Sequence, residues 1–164
     1  MDDPRAAADQ GRRDEVAPVV VATALPRRVV ISRRLLEIAA WLLAAAVLGQ
    51  IFLAGRAVFV GPDWWQKHRD FVHTFEWLSP LSVILAYLAR APRGAKVLAW
   101  LTVVLLFLAY ATAGLQSSLG RVGLAAFHPV NAALLFWTAI ELARRSRTDQ
   151  GVRVVDRDQE GQSR

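Results

Sequence analysis

Four stretches of this chain carry almost no charge: Leu35–Gly55, Phe71–Ala89, Val97–Leu115 and Val122–Leu142. Each holds about 20 residues, and at about 1.5 Å of helical rise per residue that length crosses the roughly 30 Å hydrocarbon layer of a bilayer. A helix of a water-soluble bundle shows polar positions every three or four residues. AWLLAAAVLGQIFLAG and VLAWLTVVLLFLAYATAGL show no such stripe. The expected fold is all-α: a polytopic membrane four-helix bundle.

The chain has 164 residues, 54% of them hydrophobic and 21% charged. That conflict resolves when the charges are located, because they crowd into the two ends and two short connections. Residues 1–30 and 146–164 read as disordered cytoplasmic tails on their polar composition, and residues 31–145 as the transmembrane domain. The opening MDDPRAAADQGRRDE is acidic and Ala-rich, unlike a cleavable signal peptide. Val16–Pro26 is interrupted by proline and too short to span. There are no cysteines, so disulfides, thiolate metal sites and cysteine nucleophiles are excluded.

Positive charge near helix ends sets orientation. Arg27, Arg28, Arg33, Arg34, Arg90, Arg93, Lys96, Arg144, Arg145 and Arg147 fall on one side of the four runs. Arg56, Lys67, Arg69 and Arg121 fall on the other, diluted by Asp63 and Asp70. Both termini are therefore expected in the cytoplasm, with the chain multi-pass in the cell membrane. The pI near 10.9 is accounted for by these topogenic charges and by attraction to anionic lipid headgroups. No nucleic-acid partner is expected; the lipid bilayer is.

The connection APRGAK is short enough to make the second and third helices antiparallel neighbours. Trp64 and Trp65 fit an interfacial aromatic anchor, while Trp41, Trp100 and Trp137 sit deeper as packing or lipid-facing bulk. Alanines 39, 40, 44, 45, 46 and 54, with Gly49 and Gly55, would let backbones approach closely. Pro80 removes the N–H that would bond the carbonyl of Glu76, which predicts a kink.

Polar residues in the runs carry the functional question, because each costs free energy at membrane depth. The first half reads LGQIFLAGRAVF and the second GLQSSLGRVGLAAF, so Gln50 precedes Gly55 and Arg56 as Gln116 precedes Gly120 and Arg121. A histidine follows in each half, His73 and His128, both at the outer level. Two neutral imidazoles on facing helices can ligate one haem axially. The face of His128 continues through Asn131, Leu135 and Thr138, and that of His73 passes Glu76, which could accept an imidazole N–H. Arg56 and Arg121 either snorkel as interface anchors or bind a paired anion such as porphyrin carboxylates. Glu37 and Glu141 are expected to be neutralised by Arg33, Arg34, Arg144 and Arg145. His68, beside charged residues in GPDWWQKHRD, reads as a solvated surface histidine. The plain alternative is that Gln, Asn, Thr and His merely bridge helices, at roughly 0.6 kcal/mol per bond, and that His128-Pro129 merely opens the fourth helix. No HExxH, GxSxG, Walker or GxGxxG pattern occurs, which leaves no specific pointer to an enzyme.

The order of Gln and Gly in one helix, His opening the next, and the same again across a pseudo-repeat resembles the haem A synthase family. The chain looks still more like a group of small bacterial four-helix membrane proteins of unassigned function. The marks are Gln50, Ala54 and Gly55, then His73, then Gln116, then His128, Pro129, Asn131 and Ala132. Haem A synthase has two such bundles and a Glu before a His-Arg pair; here there is one bundle, and Glu76 follows His73. The resemblance therefore implies at most a single haem-holding half, with haem b ligated by His73 and His128 and lined by Gln50, Gln116, Arg56, Arg121 and Asn131. Such a module would serve a redox partner or a membrane complex. The alternative is a cofactor-free scaffold or accessory subunit.

Overall fold

The structure, a computed structural model, describes residues 25–119 and 126–148, without the side chains of 115–119 and 148. Among these residues there are five helices: α1 (Arg27–Phe59), α2 (Trp64–Phe75), α3 (Leu78–Leu88), α4 (Arg93–Leu119) and α5 (Phe127–Thr148). α2 and α3 follow one another as a single broken rod, so the helices make four rods. Three of them, Arg27–Phe59, Trp64–Leu88 and Arg93–Gly114, are long and apolar enough to cross a membrane.

Several boundaries differ from the hydropathy runs. α1 begins at Arg27 and α5 ends at Thr148, so helix extends past the expected limits at 31 and 145. Hydropathy marks only the part that suits hydrocarbon, whereas Arg, Leu and Ala go on favouring helix in water. Most of both tails lies outside the described residues, as do Arg121 and Val122. α5 starts at Phe127, with Pro129 in its first turn, where a missing N–H does no harm. α2 starts at Trp64 rather than at Phe71, which draws WWQKHRD out of the expected connection and into helix.

The α2–α3 break falls at Glu76–Trp77, one turn before Pro80. The proline ring crowds the carbonyl of Glu76 and offers it no N–H. That carbonyl instead accepts from Ser79 N at 3.3 Å, a tighter turn. At the other end of α3, Arg90 adopts φ 49° and the chain reverses at once into α4.

Packing runs around a ring: α1 on α5, α5 on α4, α4 on α3, and α3 with α2 back on α1. The broken rod and α5 therefore stand diagonally opposite. The inner seam is built from small residues. Ala39, Ala40, Ala86, Ala95, Ala99 and Ala143 pack with Leu36 and Leu142 in one buried cluster. The second cluster, around Leu43, Val47, Phe75, Leu105 and Leu135, uses larger side chains and opens the ring. Without a hydrophobic drive in lipid, close approach through small residues supplies dispersion contact instead.

The glycines divide. A methyl at Gly49 would come within 3.0 Å of the Phe71 ring, whereas one at Gly55 meets nothing within 4 Å. Gly49 is thus a seat for α2, and Gly55 is not a packing position. Facing outward are Ile38, Phe52, Phe107, Trp100 and Trp137, the last 66% exposed. A surface this apolar suits lipid and would aggregate in water.

Ion pairs lie at the end away from His128, one between rods and one along α5. Arg147 reaches Glu37 at 3.1 Å, and Arg145 reaches Glu141 at 2.7 Å. Glu37 is thus held by a cation of the last rod. Arg33 donates to the carbonyl of Ala89 at 3.2 Å, tying α1 to the end of α3.

Candidate functional site

The second cluster leaves a cavity of about 580 Å³ between α1, α2, α4 and α5. Its apolar wall includes Val47, Ile51, Val72, Phe75, Leu106 and Leu135. Its polar side chains are Gln50, His68, Arg69, His73, Tyr110 and His128. All three histidines of the chain open on one space.

Each imidazole is held by Nδ1. His68 Nδ1 lies 3.1 Å from the carbonyl oxygen of Gln50. His128 Nδ1 lies 3.1 Å from the carbonyl oxygen of Ala109 and 3.2 Å from the hydroxyl of Thr112. A carbonyl can only accept, so in both rings Nδ1 carries the proton and donates. The neutral ring then has its lone pair on Nε2. His73 Nδ1 is 3.3 Å from Glu76 Oε1, while Glu76 Oε2 accepts from the Tyr110 hydroxyl. The His73 ring stacks on Tyr110 with centroids 6.4 Å apart and planes at 27°, and its side chain is 64% exposed.

The sequence pairs His73 with His128. In the structure the ring beside His128 is that of His68, with centroids 6.4 Å apart and an interplanar angle of 72°. His68 also meets Trp65 edge-on at 5.7 Å. It is a half-buried cavity residue, not the solvated loop histidine expected from its charged neighbours. The signal that finds it is helical spacing: once α2 begins at Trp64, His68, Val72 and Phe75 fall on one face, and Phe75 is buried.

The other expected site residues scatter. Gln50 lines the cavity, and its buried Oε1 has no protein partner. Asn131, only 3% exposed, is not in the wall; its Nδ2 donates to the Leu105 carbonyl at 2.8 Å and ties α5 to α4. Arg56 also stands apart, its guanidinium 3.8 Å from the centre of the Trp64 ring, with Lys67 at the same distance. The Gln116 side chain and Arg121 lie outside the described residues. Arg69, unassigned by the sequence, lines the cavity and donates to Gln66 Oε1 at 2.6 Å.

Among the described residues, no three or more His, Cys, Asp or Glu come together to hold a metal. A metal here would need most of its donors from elsewhere, as a porphyrin ring provides.

Residues 50–115 match the model of a family of unknown function, DUF6220. The matched segment begins at Gln50 and holds His68, His73, Glu76 and Tyr110; His128 lies beyond it. No curated protein and no solved structure matches the chain. The expected likeness to proteins of unassigned function thus has a family match over these residues, and the likeness to haem A synthase has none.

Proposed function

We propose that this chain is a small b-type cytochrome or haem-holding module of the cell membrane, multi-pass with both ends in the cytoplasm, and that the cavity seats the haem near the outer face. The observation that carries this reading is that the imidazoles of His68 and His128 meet in one apolar cavity. A volume of about 580 Å³ lies within the roughly 300–1,000 Å³ of cofactor pockets. The orphaned Gln50 Oε1 is the kind of polar group a bound molecule would meet. With no cysteine in the chain, the haem would be held without covalent attachment.

Held by histidines of this chain, haem would supply one-electron transfer. The protein's share is to anchor His128 through Ala109, to keep water away with Leu106, Leu135 and Phe75, and to present Arg69 to the carboxylates of the macrocycle. Electrons would pass to or from a partner in the membrane.

The test is spectroscopic. The full chain, expressed with haem supplied and purified in detergent, should show the Soret and alpha bands of low-spin haem on reduction. Colourless protein would overturn the reading and leave the scaffold alternative. That alternative is favoured by the bonds of Asn131 to Leu105 and His128 to Ala109, which tie rods together without any ligand.

A further inference from the structure

We infer that the axial pair is His68 with His128, joining the two diagonal rods through the metal, an assignment that rests on the haem reading above. Three observations carry it. First, both rings are held in the manner of metal ligands. Ligating histidines commonly donate the other ring N–H to a backbone carbonyl, which fixes tautomer and orientation. Here Gln50 and Ala109 are those carbonyls, and the lone pair of each neutral ring falls to Nε2.

Second, the spacing suits an interposed metal. A ring nitrogen lies about 1.15 Å from its centroid and metal–histidine bonds are about 2.0–2.1 Å, so trans imidazoles on one metal have centroids about 6.3–6.5 Å apart. The observed separation is 6.4 Å. A direct N–H···N bond of about 2.9 Å would bring them to about 5.2 Å. Such a bond is also ruled out by the tautomers, since two lone-pair nitrogens do not bond each other. The 72° between the planes is no obstacle, because a ring that ligates through one nitrogen can turn about that bond.

Third, His73 sits at the exposed edge of the cavity and is already engaged. Five residues along a helix rotate a side chain by about 140°, so His68 and His73 meet the cavity from different sides of α2. His68 takes the interior, and His73 is taken up by Glu76 and Tyr110.

The experiment titrates haem b into the purified full chain and into its His68→Ala, His73→Ala and His128→Ala variants, with exogenous imidazole as a rescue. Low-spin bands should form with wild type and His73→Ala. They should be lost in His68→Ala and in His128→Ala, with imidazole restoring them; restoration shows that the variants still fold around haem. Low-spin bands that survive His68→Ala but vanish in His73→Ala would overturn this assignment while leaving the haem reading standing. Loss in His68→Ala that imidazole does not restore would count against it as well. A wild type that takes up no haem would remove both.

Discussion

Tyr110, on α4, donates its hydroxyl to Glu76, the carboxylate at the break between α2 and α3. The break frees backbone groups and exposes an acid inside a rod long and apolar enough to cross a membrane, where neither is cheap. A single bond from the neighbouring rod steadies both, and His73 adds a weaker contact at 3.3 Å.

Tyr110→Phe should therefore lower the stability of the purified protein by on the order of 1 kcal/mol, near the upper part of the range for hydrogen bonds between membrane helices. His73→Ala should cost less, because its contact is longer and its side chain exposed. Thermal unfolding of both variants in one detergent decides the order; a larger loss for His73→Ala would show that Tyr110 is not the main tie.

Gly49 and Gly55 should respond oppositely to added bulk. Gly49→Val drives side-chain atoms into the Phe71 ring, already 3.0 Å from a bare methyl, and overpacking costs about 1–3 kcal/mol. Gly55→Ala meets nothing and should be neutral or gain up to about 1 kcal/mol from helix propensity. Parallel melting curves provide the check.

Asn131→Asp should be severe at neutral pH. The change replaces the group that donates to the Leu105 carbonyl with a carboxylate oxygen, and leaving a buried charged group without a donor costs upwards of about 1–3 kcal/mol. The protonated acid can donate again. The variant's stability should thus recover as falling pH protonates the new carboxyl, and a pH series of unfolding measurements should show that rise. A loss independent of pH would mean that shape, not charge, matters at this position.

Topology is directly testable because the chain lacks cysteine. A single cysteine at exposed Pro62 should react with a membrane-impermeant thiol reagent added outside intact cells. One at exposed Pro92 should react only after lysis. The reverse pattern would place the termini outside.

The length of the uncharged runs and the proline at 80 suffice to foresee the four rods and the break, because both follow from local chemistry: lipid tolerates no long polar stretch, and a proline ring cannot share space with the carbonyl four residues back. His68 was hidden for an equally local reason. Its neighbours Lys67, Arg69 and Asp70 mark a solvated connection by composition, and only the helix start at Trp64 turns the ring inward. Arg147 pairing with Glu37 and Asn131 bonding the Leu105 carbonyl depend on which rods are neighbours. No spacing along one chain encodes that.

The interruption at Glu76–Trp77 gives the two ends of the protein different tolerance to sequence drift. Beyond it, toward the termini, the alanine seam leaves no room, and almost any enlargement at Ala40, Ala86 or Ala143 should be purged. On the other side the wall around Gln50 and the histidines is looser. Because α2 is joined to α3 through a turn rather than a continuous helix, changes there need not propagate into the seam. New chemistry could thus be acquired at one end of the barrel of rods while the other goes on holding it together.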